Sequence, residues 1–265
     1  MNPLAQELNG VLADSICFRA LSDFGRRIYF PKGIVAQTAE ANAHCTLFNA
    51  TAGMAVSQGE PMALPSIARY LNDLTSKESV AYAATGGVAP LRSAWLQQIR
   101  TKNPSLGDTP VSMPVVTPGL TAGIAQAADL FVDANDVVLM PDMFWGNYRL
   151  IFEERRGARI ATFPFFDAEF RLNLDAFETA LRENPGKIVM LLNFPNNPTG
   201  YSPTVEEVET IAAMLIRYAE AGNTAVIMTD DAYFGLVYEP GIATESIFAR
   251  LAGAHENILA IKVDG

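Results

Sequence analysis

The sequence has little from which to build a metal centre or a hydrolytic triad. Cys17 and Cys45 are its only cysteines, and His44 and His255 its only histidines. Two cysteines do not make a disulfide framework, and neither sits in a metal-ligand spacing. Two distant histidines do not supply a metal cluster or a Ser/His pair. Lysine is also sparse, confined to Lys32, Lys77, Lys102, Lys187 and Lys262. No apolar run approaches the roughly 18 to 20 residues that a membrane helix needs. Met1 to Gly10 lacks the basic stretch and apolar core of a secretory signal. Basic charge is in deficit, with a formal net charge of -10. Such a chain is poorly suited to neutralising nucleic-acid phosphates. These absences point to a cytoplasmic protein with neither a membrane nor a nucleic acid as partner.

The composition, 49% hydrophobic and 18% charged, is enough to bury a sizeable core. A length of 265 residues allows one large domain or two smaller ones. Up to about residue 110 the pattern is irregular. Ala63 to Leu74 and Val88 to Ile99 carry helical spacing, with Gly86-Gly87 breaking the chain between them. From about residue 113 strand and helix alternate. The strands expected are Pro114 to Thr117, Asp136 to Met140, Arg159 to Phe163, Ile188 to Asn193, Thr224 to Thr229 and Ile258 to Val263. The helices expected are Ala122 to Val132, Trp145 to Arg156, Leu174 to Asn184 and Pro203 to Glu220. The last has Ser202 as its expected cap and Pro203 at its first position. Strand, helix, strand in this order predicts an α/β fold. It has a mainly parallel sheet with helices on both faces.

In such a sheet, ligands gather at the carboxyl ends of the strands, and four segments there carry unusual residues. Asn193-Phe194-Pro195-Asn196-Asn197-Pro198-Thr199-Gly200 follows a buried strand, and its prolines and glycine make a rigid turn that holds the Asn196 and Asn197 amides. A plain strand-to-helix turn would look the same. Thr229-Asp230-Asp231-Ala232-Tyr233 puts a carboxylate where it can pair with a cation and a phenol where it can donate. Paired acids at this place could equally begin a loop or hold a metal. Thr117-Pro118-Gly119-Leu120-Thr121 opens a helix, whose free amides and dipole attract phosphate. Phe144-Trp145-Gly146-Asn147-Tyr148 offers an aromatic to stack on a planar ring, or one to pack beneath a loop.

Together these segments resemble the fold-type-I pyridoxal-phosphate enzymes, specifically the aspartate and aromatic aminotransferases of class I/II. The run Asn197-Pro198-Thr199-Gly200, followed about 30 residues later by Asp230-Asp231-Ala232-Tyr233, is a specific pair. Upstream, Asn49-Ala50-Thr51-Ala52-Gly53, Leu64-Pro65-Ser66-Ile67, and Tyr82 with Gly86-Gly87 and Leu91-Arg92 are similar to the group's earlier blocks. The resemblance covers residues 28 to 265 and implies pyridoxal 5'-phosphate as cofactor. It implies that Gly119, Leu120 and Thr121 hold the phosphate and that Trp145 stacks on the ring. Asn197 and Tyr233 would donate to the ring's phenolic oxygen, and Asp230 would pair with the ring nitrogen. Tyr82 would reach the phosphate of a neighbouring subunit in a homodimer, and Gly53 would contact the substrate carboxylate. Residues 1-75 would be an N-terminal arm with part of a small domain. Residues 76-265 would be the cofactor-binding large domain.

The implied reaction is transfer of an amino group between an amino acid and a 2-oxo acid. A lyase or decarboxylase on the same scaffold, or a cofactor-binding chain without catalysis, remains an alternative. The chain departs from the family in two respects: it lacks the Schiff-base lysine, and it lacks the later arginines for phosphate and substrate carboxylate together with the C-terminal small-domain portion. The Schiff-base lysine is expected just beyond Gly265, so the large domain is expected to be truncated and incomplete at the C-terminus, and the 265-residue chain inactive alone. Lys262, near the end of the last strand, is the one internal candidate for that lysine, against a strand lysine with a structural part.

Overall fold

A computed structural model of the chain describes residues 1–29, 34–47, 49, 51, 55–71 and 73–265. They form two compact units, Met1–Ala84 and Thr85–Gly265.

The first unit is built from short elements held by local bonds. Helices α1 (Pro3–Leu12), α2 (Ile16–Ala20) and α3 (Asp23–Arg27) begin at Asn2, Ser15 and Ser22, whose side chains each accept a backbone amide of the first turn. Helix α4 spans Ile34–His44. Strands β1 (Val56–Ser57) and β2 (Glu60–Pro61) pair antiparallel. Gln58 and Gly59 both have positive φ between them, as a two-residue hairpin turn requires. Helices α5 (Pro65–Leu71) and α6 (Ser76–Val80) follow, the second opened by a reciprocal cap between Thr75 and Glu78. Ala5 is the only fully buried apolar residue among the described residues of this unit.

The second unit opens with α7 (Ala89–Lys102) and a single 3-10 turn, Pro104–Leu106. Then come α8 (Leu120–Phe131), β3 (Val137–Pro141), β4 (Arg159–Phe163), α9 (Leu174–Glu183), β5 (Lys187–Asn193), α10 (Val205–Glu220), β6 (Thr224–Asp230), α11 (Phe248–Leu251) and β7 (Ile258–Val263). The five strands form one wholly parallel sheet in the order β4-β3-β5-β6-β7. The chain order reverses between β3 and β5, which makes a crevice at their carboxyl ends.

Helices cover both faces, and the alternation of each strand decides what faces which. Leu139, Ile188, Met190, Ala225 and Ile227 pack under α9 and α10 with Phe177, Leu181, Ile211 and Leu215. Their chain neighbours Val138, Val189, Leu191, Val226 and Met228 turn to the other face, against Ile124 and Ala128 of α8, Phe152 and Tyr148. The α/β fold with a parallel sheet flanked by helices is therefore the one the pattern predicts.

Three local expectations are corrected. Pro114 to Thr117 is not a strand. It is linked through the Val116 amide to the Gly86 carbonyl, the Arg92 side chain to the Pro114 carbonyl and a local turn between Thr117 and Gly119, and Val115 is exposed. An apolar stretch that meets no ladder does not pair. Trp145 to Arg156 is not a continuous α-helix. Trp145 and Gly146 make a turn, and Arg149–Glu154 winds as a π-helix in which the Arg155 amide reaches the Leu150 carbonyl. Helix α10 starts two residues later than expected. Thr204 caps it, exchanging bonds with Glu207, while Ser202 and Pro203 lie outside.

Candidate active site

The register puts Asn193, Asp230 and Val263 level with one another at the carboxyl edge of β5, β6 and β7. Strand alternation then sorts the two adjacent acids. Asp230 continues the Val226 and Met228 side, where the Tyr148 hydroxyl donates to its Oδ2 at 2.5 Å. Asp231, one residue on, turns to the opposite face and meets Lys262 at 2.6 Å. The two carboxylates therefore do not share one ligand, and the reading of them as a chelating pair falls.

Asp230 is only 5% exposed. Burial pushes its carboxyl above the usual range, and the Tyr148 hydroxyl and the Ala232 amide, 3.2 Å from Oδ1, pull it part of the way back. The Tyr148 phenol is pushed up strongly, first by burial and then by the neighbouring Asp230 charge. The site thus holds a carboxylate that burial alone would rather protonate. A cation placed against it would be stabilised.

Asn193 closes the site from β5. Its Nδ2 donates to the Asp230 carbonyl at 2.8 Å, and its Oδ1 accepts the Asn197 amide at 2.7 Å. One side chain therefore ties the Asn-Pro loop to the end of β6. Within that loop the two asparagines part. Asn196 is buried, accepting from Thr199 and donating to the Met143 carbonyl. Asn197 is half-buried, and its Nδ2 lies 3.4 Å from the Tyr233 hydroxyl. Asn197 and Tyr233 therefore converge, whereas the side-chain amide of Asn196 is spent on Thr199 of the loop and on Met143 after β3.

Helix α8 begins at Gly119, with φ 88° and ψ 167° and no side-chain cap. That backbone conformation is essentially confined to glycine. The following Leu120 and Thr121 start the helix, so the positive end of its dipole is open to an anion. Its first turn lies against β7, since a Cβ built on Gly123 would come within 3.1 Å of Val263 Cγ1. Trp145 is half-buried and meets Tyr148 edge-on, with centroids 5.4 Å apart and planes at 86°. Through Tyr148, Trp145 and Asp230 stand on the same face of the sheet.

Of three further residues named from the sequence, only Lys262 has a place in this unit. Lys262 lies on the Asp231 face, its side chain 3% exposed, with its ammonium 2.6 Å from both Asp231 and Asp264. It is turned away from Asp230 and already neutralised. Tyr82 is exposed and belongs to the first unit. Gly53 lies outside the described residues.

Two residues were missed at the sequence level. Tyr148 stands three positions after Trp145, a spacing that brings side chains together in any helical turn. Asn193 is the last residue of an apolar strand, and a polar side chain on the same parity as Val189 and Leu191 marks it.

The family described as aminotransferase class I and II matches residues 52–261. Aromatic-amino-acid aminotransferase 2 of Thermococcus litoralis is 26% identical over 195 residues, covering 74% of this chain and 48% of its own. A probable N-succinyldiaminopimelate aminotransferase of Mycobacterium tuberculosis is 31% identical over 160 residues, covering 60% of this chain and 38% of its own. The crystal structure of an aminotransferase from Anaerococcus prevotii superposes with a TM-score of 0.74 at 25% identity, covering 89% of this chain and 60% of that one. The chain thus spans about half the length, or less, of the curated relatives it matches. With the family pattern running over most of the sequence and the same sheet beneath it, the chain belongs to the class I and II aminotransferase family.

Proposed function

We propose that the second unit binds pyridoxal 5'-phosphate and that the protein transfers an amino group between an amino acid and a 2-oxo acid. The observation that carries this reading is Asp230. It is a buried carboxyl with a raised pKa, on the same side of the sheet as an indole, at the end of the strand that leads to Tyr233, where Asn197 and Tyr233 converge. These residues fit the cofactor. A protonated pyridine nitrogen is the cation that Asp230 lacks, and Trp145 supplies a half-buried indole on the same side of the sheet. The uncapped start of α8 suits a phosphate.

When bound, the cofactor supplies an electron sink for charge developing at the amino acid Cα. The chain's own residues have separate parts. Asp230 holds a proton at the ring nitrogen, and Tyr148 keeps that carboxylate aligned. Asn197 and Tyr233 donate to the ring's phenolic oxygen, and Trp145 limits the ring's tilt. Gly119, Leu120 and Thr121 hold the phosphate through amides and the Thr121 hydroxyl. Tyr82 reaches the phosphate of a neighbouring subunit in a homodimer, and Gly53 contacts the substrate carboxylate. The lysine that moves the Cα proton is not Lys262, whose ammonium is held on the opposite face.

Titration of the chain with pyridoxamine 5'-phosphate tests this reading. Saturable quenching of Trp145 fluorescence is expected. No binding, or quenching that persists after Trp145→Phe, counts against it. For the complete protein, turnover that requires a 2-oxo acid supports amino-group transfer, and release of ammonia without one supports a lyase.

A further inference from the structure

The polar groups on the face opposite Asp230 form a closed circuit. Asn103, which ends α7 and is fully buried, accepts the Ser246 amide at 2.8 Å. The Ser246 hydroxyl donates to Asp231 Oδ2 at 2.7 Å. Lys262 bridges the same Asp231 oxygen and Asp264 Oδ2, at 2.6 Å each. The Asp264 Oδ1 accepts the Trp95 indole N–H at 2.8 Å, which returns the circuit to α7. The Lys262 ammonium also lies 4.5 Å from the centroid of the Phe234 ring.

This circuit has one place where it touches the candidate active site, and that place is the backbone. Asp230 and Asp231 are consecutive, and so are Tyr233 and Phe234. Lys262 holds the second member of each couple, while of the first members Asp230 meets Tyr148 on the opposite face and Tyr233 meets Asn197. The Asp231 amide also bonds to the Val263 carbonyl at 2.9 Å, so the β6 end is tied to β7 by backbone and side chain together. A buried ion pair is a poor source of stability compared with apolar packing. Its value lies in fixing one geometry.

We propose that Lys262 is a positioning residue: by gripping Asp231, Asp264 and the Phe234 ring, it fixes the turn that presents Asp230 and Tyr233 to the cofactor. This rests on the cofactor reading above.

The test uses the full chain and pyridoxamine 5'-phosphate. Lys262→Met alone strands the buried Asp231 carboxylate as well as Asp264, so the main variant is Asp231→Asn/Lys262→Met, which removes the grip and leaves only the more exposed Asp264, still bonded by the Trp95 indole. Two readouts are taken: cofactor affinity, and hydrogen exchange of the peptide that includes the Ala232 amide, which bonds to Asp230. The expected result is a folded variant with about tenfold weaker binding and about tenfold faster exchange. A folded variant that binds like the unsubstituted chain overturns the proposal, since a purely structural pair would change stability alone. Phe234→Leu, which keeps every charge, is the second variant. It is expected to weaken binding in the same direction by about threefold, and unchanged affinity there overturns the proposal if the double variant does not fold. If the unsubstituted chain does not bind the probe, the cofactor reading fails instead. Exchange at Ala232 then decides the grip alone, and an unchanged rate in either folded variant overturns it.

Discussion

The Tyr148 hydroxyl donates to Asp230 Oδ2 at 2.5 Å, across 82 positions of sequence and inside the core. The bond joins the segment after β3 to the end of β6, the two places from which an aromatic ring and an acid would reach one ligand. It also decides how the acid behaves, because it stabilises the charged form in a site where burial opposes it.

Tyr148→Phe therefore removes a hydrogen bond to a buried charged group. Such bonds contribute about 1.5–3 kcal/mol, and a loss of that order is expected in urea unfolding at neutral pH. The Asp230 carboxyl is expected to rise further, and a carbon-13 titration of that carboxyl reads the change. An unchanged titration would mean that the phenol does not act on Asp230.

Asp230 itself should make the ligand-free protein less stable at neutral pH than its amide variant. Its folded pKa is raised above the unfolded value, so its favourable contribution is complete below about pH 4 and is lost as pH rises through the folded value. Asp230→Asn, which keeps the shape, should match the unsubstituted chain at low pH and exceed it at neutral pH. Thermal melts across that range are the check, and an unsubstituted chain more stable than Asp230→Asn at pH 7 would contradict the electrostatics described above.

Gly119 is held at φ 88° and ψ 167°. Gly119→Ala forces a side chain into a conformation costing about 1–3 kcal/mol, which urea unfolding should show. Gly146 has open space around its Cβ position and no positive φ. Gly146→Ala should lie within about 0.5 kcal/mol of the unsubstituted chain.

Trp145→Ala should weaken pyridoxamine 5'-phosphate binding by about 2- to 10-fold, the equivalent of a stacking contact of about 0.5–1.5 kcal/mol. Equilibrium dialysis measures it. Equal retention of the cofactor would reduce Trp145 to the packing partner of Tyr148.

Much of the second unit can be read from the sequence because its signals are local. The apolar runs Ile188 to Leu192 and Ala225 to Met228 are buried on both faces, and such runs declare parallel strands without knowledge of their neighbours. Asp230 and Asn197 stand out in the sequence because they lie at or just after the end of a strand. The parity of β6 also contained the separation of Asp230 from Asp231, but only the side chains across from them, Tyr148 and Lys262, show that the separation has a chemical consequence. Those partners are distant in sequence, and no local pattern couples them. Pro114 to Thr117 shows the converse. Its residues suit a strand, yet pairing is decided by what lies alongside, and there a single backbone bond to Gly86, a local turn at Thr117 and an arginine take the place of a ladder. Thr204 outbids Ser202 as a cap because only Thr204 has a glutamate three residues on, at Glu207. A capping rule weighing both ends of the box would have chosen it.

The most direct measurement is the absorption spectrum of bound pyridoxamine 5'-phosphate followed against pH, in the unsubstituted chain and in Asp230→Ala. With Asp230 beside the ring nitrogen, the ring should stay protonated to higher pH than it does free in solution, and the substitution should abolish that difference. A ring that titrates as the free cofactor does in both proteins would contradict the placement of Asp230 at the nitrogen, and the function built on it.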